Sequence, residues 1–542
     1  MVDFSARAFG WAAVAALLVF AAGCGGGGSG GASTSTPPRP PAAPPAGQTP
    51  PPAVGFENGT FAASSSFANR CALPRTGTDP SGRAWPDVQG TTTDENNFLR
   101  SWSNELYLWF DEIVDVDPES LSTPEYFDAM KSLETTPSGA PKDQFHFTRD
   151  TDEFLAFAQS GVEAGYGMDL AVLQSRVPRE IRIVLVQPGS PAALAGLERG
   201  DTIVETDGVD VVNAPTQEEV DVINDALFRV ALGDTHEIGV VPRGGGDVVR
   251  VSLTGTEITT VPVQTVKTID TPSGPVGYFA FNAHIEPAED GLFEAIEQLS
   301  AEGVVDLVVD LRYNGGGLLA IAGQLAYMIA GPAAAQGRVF EELEFNSKHP
   351  VFNPVTGQRI EPDLFPTTTL GFSRGAGEAL PSVDLERVFM LTGPGTCSAS
   401  ESIFNALRGI GVEVVQIGNN TCGKPYGFYP QDNCGTTYFS IQFRGVNAQG
   451  WGDYADGFAP GIEAGPAGVV PGCVVADDFD HVLGDPAEAR LAAALTFRDT
   501  GACPVAAAAS GAESPGGGIR IEKDSVPVVE PPAWRQGAWR SP

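Results

Sequence analysis

Basic residues are scarce in this chain of 542 residues. Its 32 lysines and arginines stand against 68 aspartates and glutamates, for a net charge of −36. Phosphate binding depends on clustered Lys and Arg, so nucleic acid is excluded as a partner. Long hydrophobic runs are missing where a membrane span would be sought. The run from Trp11 to Ala22 falls short of the roughly 20 residues needed to cross a bilayer. No Cys-x-x-Cys and no paired histidines occur, so zinc lacks its usual ligand spacing. His146, His236, His284, His349 and His481 are isolated, and a lone histidine is usually structural. Neither a metal nor a cofactor is expected.

What is present centres on residues 391–429. A strand (Val388-Phe-Met-Leu-Thr) runs into Gly-Pro-Gly and then the hydroxyl-rich Thr396-Cys-Ser-Ala-Ser-Glu401. Ala399, Ile403, Ala406, Leu407 and Ile410 recur at helical spacing, followed by a buried strand over 412–417. Ser398 thus opens a helix, among free N–H groups and the positive dipole end. Lys424 returns 26 residues later, enough chain for one helix and one strand. Pro425 holds it in extended backbone, and Tyr426, Phe428 and Tyr429 offer it an apolar wall. A lysine base must come down from about 10.4 to roughly 7–8, some 4 kcal/mol of differential solvation. The competing reading of Ser398-Ala-Ser-Glu401 is a capping box. A third feature is Asp310-Leu-Arg-Tyr-Asn314-Gly-Gly-Gly317, a buried strand ending in glycines that let backbone N–H groups approach a substrate oxygen.

These three ordered motifs resemble the C-terminal processing (tail-specific) serine peptidases, over roughly residues 166–471. The resemblance implies a Ser–Lys dyad on a crotonase-like α/β core, preceded by a PDZ domain and a helical N-terminal domain. Carried over, Ser398 is the nucleophile and Lys424 the base. The amides of Ala399 and Gly316 are the oxyanion donors, and Glu401 matches the family's glutamate three residues after the nucleophile. One position departs: many members have glutamine four residues after the lysine, and here Phe428 stands there. Residues 189–208 strongly resemble a PDZ domain, which holds a peptide's terminal carboxylate in backbone amides. Tyr166-Gly167-Met168-Asp169-Leu170 falls where the family's carboxylate loop lies. Asp453-Tyr-Ala-Asp-Gly457-Phe-Ala-Pro460 resembles the segment that closes the core.

In chain order, residues 1–24 read as a signal peptide whose Ala21-Ala-Gly-Cys24 resembles a bacterial lipoprotein box, giving lipidation at Cys24. A Gly/Pro-rich linker (25–60) has too few apolar groups to form a core. A helical N-terminal domain (61–160) follows, with Phe98, Trp102, Leu106 and Trp109 at helical spacing and a helical reading over 96–132. A PDZ domain (163–256) precedes the peptidase core (262–500), with an insertion at 337–380 and a flexible tail at 506–542. Setting Cys24 aside leaves six cysteines, an even number that suggests three disulfides in an exported protein. Bracketing suggests Cys422–Cys434 around the lysine loop and Cys473–Cys503 around the last helix. Cys71 is then left for Cys397.

The expectation is an exported endopeptidase in the cell envelope, lipid-anchored on the periplasmic side of a bacterial membrane. It would act on proteins or peptides with free C-termini. The alternatives are a non-catalytic PDZ lipoprotein adaptor and a Ser–His hydrolase, for which His284, after a core strand, is the residue to watch.

Overall fold

The computed structural model describes residues 56–79, 82–461, 465, 468–504 and 526–528. Residues 1–24 with Cys24, read above as a targeting segment, most of 25–60 and most of 506–542 lie outside the described residues.

The centre is a seven-stranded sheet in the order Val263–Ile269, Val276–Phe281, Asp306–Asp310, Arg387–Thr392, Glu413–Gly418, Val469–Val474, Ala459–Gly461. Only the first pairing is antiparallel. Every residue of Val276–Phe281 is buried, as a strand covered on both faces requires. Successive side chains alternate between two cores. Phe279, Val309, Met390 and Val414 pack under the helices Ala288–Ala301, Leu319–Ala335 and Ala399–Ile410. Tyr278, Val308, Phe389 and Val415 pack against Ala489–Thr500. The strands ending at Asp310, Thr392 and Gly418 are adjacent and parallel. The three motif loops therefore leave one edge of the sheet together, where α/β sheets place their sites.

The second sheet is antiparallel, with Met168–Gln174 at one edge and Val249–Thr254 at the other, and the helix Gln217–Leu227 packs on it. Arg199 ties it to the core: its guanidinium donates to Asp477 and to the Tyr313 hydroxyl, one residue from Asn314.

The N-terminal region is less helical than its spacing suggests. Helices cover Thr92–Leu106 and Thr123–Ala129, while the chain between them is mostly extended or turning. Tertiary bonds compete there: Leu108 N donates to Ile441 O, and Asn96 binds the carbonyls of Pro118 and Leu121. The strand Phe147–Asp150 pairs with Thr436–Phe439, sewing the region onto the core.

The disulfides are Cys71–Cys434, Cys397–Cys422 and Cys473–Cys503. Only the last follows the expected bracketing; Cys422–Cys434 and Cys71–Cys397 are not formed. Cys434 sits at the turn of a hairpin that reaches toward the N-terminal region, where Asn69 N bonds Asn433. Cys422, its N–H on Thr396 O, stays beside the serine loop. The 337–380 insertion is partly sheet, since Val339–Phe345 pairs with Phe443–Val446. It walls a cavity of about 580 Å³ with Leu318, Leu319 and Tyr429.

Candidate active site

Ser398 caps the helix Ala399–Ile410 with φ 61 and ψ −114, a conformation that costs a non-glycine residue of order 1–3 kcal/mol and recurs at functional sites. Its backbone N–H donates to Glu401 Oε2 at 2.8 Å, and the N–H of Lys424 donates to the same oxygen at 2.8 Å. Thr421 Oγ1 and Gly423 N donate to Glu401 Oε1. One buried carboxylate therefore fastens the serine turn to the lysine loop. Burial pushes its carboxyl above the ordinary range, against four donors that favour the ionised form. The Cys397–Cys422 disulfide joins the same two loops covalently, beside Ser398 and two residues before Lys424. Ser400 is also buried, but its hydroxyl is held on Asn314 O.

Lys424 is 1% exposed. Its Nζ lies 4.1 Å from the ring centre of Phe428 and 4.8 Å from that of Phe145. Burial brings the amine down to about 7, while Asp143 and then Glu401 act in the opposite direction. The expected aromatic wall is present at Phe428; Phe145, from the N-terminal region, completes it.

Gly316 (φ 100) touches the serine turn. A Cβ there would stand 3.0 Å from both Ser398 Cβ and Ala399 N, which no side chain tolerates without a shift. Its own N–H donates to Asn314 Oδ1, whereas the N–H groups of Ala399, Gly315 and Gly317 carry no hydrogen bond among the described residues. Asn314 Oδ1 also meets His284 Nδ1 at 3.0 Å. Because Asn314 Nδ2 donates to Phe281 O, the amide is oriented and the imidazole is the donor. Burial lowers His284 to about 3, so it is neutral across the working range and serves to hold the glycine loop.

Tyr166–Leu170, where a carboxylate loop is expected, lie at the start of a sheet-edge strand. Tyr166 and Gly167 lead into Met168–Gln174, and Gly167 (φ 73) lies so close to Ser190 that a Cβ would collide with its side chain. Tyr166, Gly167, Met168, Asp169 and Leu170 line a cleft of about 1070 Å³ with Leu227 and Phe228. Its opposite wall comes from the N-terminal region, including Asp150, Asp152 and Glu153.

Cys397, Glu401 and Cys422 form a cluster of metal-binding residue types, but the two sulfurs are bonded to each other and cannot serve as thiolate ligands. Ser398, Ala399, Glu401, Lys424 and Gly316 are brought together, and Tyr166–Leu170 form a separate surface. Sequence reasoning missed Asp143 and Phe145 beside Lys424, and named His284 only as the residue to watch in a rival Ser–His reading. The first two lie some 280 positions before Lys424 in no motif, so no spacing could have exposed them.

Residues 275–428 match peptidase family S41, and residues 182–225 match the PDZ domain family. A carboxyl-terminal-processing protease of Picosynechococcus sp. is 27% identical over 271 residues, half of this chain and 56% of that protein. The carboxy-terminal processing protease CtpA of Bacillus subtilis is 30% identical over 140 residues, 26% of this chain and 28% of that protein. The match thus spans about half the length of the first of these relatives. Among solved structures, a putative S41 protease from Bacteroides fragilis superposes with a TM-score of 0.54 at 22% identity, covering 77% of this chain and 98% of that one. That likeness establishes the fold.

Proposed function

We propose that this chain, in which an S41-type domain follows a PDZ domain, is an exported serine endopeptidase that cleaves polypeptides near their free C-termini through a Ser–Lys dyad. The observation that carries the reading is the buried Lys424, with burial lowering its proton affinity to about 7 and its N–H sharing a Glu401 oxygen with that of Ser398. A neutral amine there takes the Ser398 Oγ proton as the oxygen attacks the scissile carbonyl, and later returns it to the leaving amine. The oxyanion then needs two unshared donors. Ala399 N–H is one. In the glycine run, Gly316 lies against the nucleophile, but its N–H is held by Asn314, which favours Gly317 as the second. Ser400, tied to Asn314, is not the nucleophile.

The PDZ cleft selects chain ends, since a free carboxylate is what its backbone amides recognise. Its acidic opposite wall disfavours acidic tails. Three disulfides suit an oxidising compartment, in keeping with an acylated Cys24 on a tether at the periplasmic face of a bacterial membrane.

The test is incubation of the purified protein with a library of free-acid peptides beside Ser398→Ala, with intact-mass detection of an acyl-enzyme. Cleavage upstream of the terminus that vanishes in Ser398→Ala is expected. Equal cleavage by both proteins, or none by either, overturns the reading.

A further inference from the structure

The edge strand Met168–Gln174 of the PDZ sheet has two ends with different surroundings. Its first residues line the cleft of about 1070 Å³, with Leu227 and Phe228. Just past its other end a much later segment of the same chain is seated. Val528 is 3% exposed and packs into the apolar core of this sheet, with Val526 half-buried beside it. Val528 N donates to Ser175 O at 3.1 Å, one residue beyond the strand. The Arg179 guanidinium, itself 2% exposed, donates to Val526 O and to Ala214 O. A chain that passes Arg179 and then Ser175 is heading back along the edge strand, antiparallel to it and toward the cleft.

The residues that follow Val528 match what they would meet there. Six carboxylates line the cleft, Asp152 and Glu153 among them, against the guanidiniums of Arg149 and Arg229, and Arg229 is paired with Asp225. Residues 529–542, outside the described residues, carry two arginines and one glutamate, a net charge of +1 in a chain of −36. Ala-Trp-Arg occurs twice there, at 533–535 and 538–540, so this short stretch holds two of the chain's seven tryptophans. At ~3.2 Å per residue, six residues from Val528 cover about 20 Å, which sets Trp534 level with Asp169 and Arg535 level with Met168. Pro531 and Pro532 keep the stretch extended but offer no N–H. Side chains, rather than an unbroken added strand, would make the contact.

We propose that the PDZ cleft is the docking site of this chain's own segment 529–542, with Trp534 against Leu227 and Phe228 and Arg535 toward the acidic wall. A tethered segment acts at an effective concentration of order mM, so an incoming polypeptide has to displace it. The docking stands apart from the Ser–Lys reading, and its effect on cleavage rests on that reading.

The test puts the photocrosslinker p-benzoylphenylalanine in place of Trp534 in the full chain carrying Ser398→Ala, so that self-cleavage cannot remove the segment. Irradiating an equal mixture of unlabelled and ¹⁵N-labelled protein separates a chain's own tail from a neighbour's. Crosslinks to 166–170 or 227–232 within one isotope label are expected. Crosslinks elsewhere, none at all, or only mixed-label ones, which would make the occupant a second copy, overturn the proposal. A fluorescein-labelled synthetic peptide of residues 529–542, followed by anisotropy, should bind a variant ending at Val528 at least about tenfold more tightly than the full chain. Asp152→Asn with Glu153→Gln in that variant should weaken the peptide about fivefold. Equal affinity for the full and shortened chains, or an unmoved affinity in the neutralised variant, overturns it as well. The shortened chain should also raise kcat/KM on free-acid peptides about tenfold, and an unchanged value in an active protein counts against the competition and overturns it. A protein without Ser398-dependent cleavage would instead sink the catalytic reading, and the crosslinks and anisotropy would still decide the docking.

Discussion

The serine site and the PDZ cleft are built on opposite plans. At the first, Ser398, Glu401 and Lys424 are all buried, loops are joined by a disulfide, and one carboxylate collects four donors. At the second, a cleft of about 1070 Å³ stands between a sheet edge and an acidic wall. A dry site strengthens electrostatics around a buried lysine. An open cleft can read only what every chain end shares. On the proposed reading, the dyad carries the chemistry without selecting, and the cleft selects without chemistry.

Breaking the dry half should have the largest effect. Ser398→Ala is expected to lower turnover by at least ~10³-fold in a steady-state peptide assay, while Ser400→Ala should keep a measurable rate. A dead Ser400→Ala beside an active Ser398→Ala would reverse their roles. Lys424→Arg keeps the charge but cannot release a proton, so a loss of about 10²- to 10⁴-fold is expected with folding retained by circular dichroism. The sign with pH follows from the lowered amine: the base is protonated and idle below about 7 and free above it, so the acylation rate rises through that value. A flat profile from pH 5 to 10, with chemistry limiting, would contradict a lysine base.

Next comes the link between the two loops. Cys397→Ser with Cys422→Ser opens a loop closed across 25 residues and should lower stability by about 3 kcal/mol in the chain-entropy model, read by guanidinium denaturation. Non-reducing peptide mapping should return this pair together with Cys71–Cys434, and free thiols at Cys397 and Cys422 in the purified protein would remove the link. The open half should be the more forgiving. Amidating the C-terminus of a cleaved peptide is expected to lower kcat/KM by about tenfold, some 1.4 kcal/mol. Equal rates for free acid and amide would make the cleft a structural element.

The same contrast marks what could be read from the sequence. That Ser398, Glu401 and Lys424 converge was legible because their motifs follow adjacent parallel strands, where local rules and sheet topology agree; the Gly316 N–H, expected as an oxyanion donor, is held by Asn314 instead. Tyr166–Leu170 were placed by resemblance, and they line the cleft where the strand Met168–Gln174 begins. The disulfide partners were not, since bracketing by sequence distance ignores that the hairpin Gln431–Phe439 leaves the lysine loop for the N-terminal region. Nor was Phe145, whose ring meets Lys424 only when strand Phe147–Asp150 docks on Thr436–Phe439. His284 could be flagged but not assigned. Its neutrality comes from burial and its role from Asn314, neither visible in the spacing. The 96–132 stretch was over-read as helix because tertiary bonds to its backbone outcompete a periodic apolar pattern.

The Cys71–Cys434 clasp also sets a timetable. Cys71 leaves the ribosome 363 residues ahead of its partner, which at ~5–20 residues per second is a wait of roughly 20–70 seconds. The strand Phe147–Asp150 waits about as long for Thr436–Phe439. Until then the nascent chain holds a serine turn without its lysine loop and an N-terminal region with nothing to dock on. The serine site is therefore assembled only after residue 439 has been made, late in synthesis and ahead of the strand Val469–Val474 and the helix Ala489–Thr500.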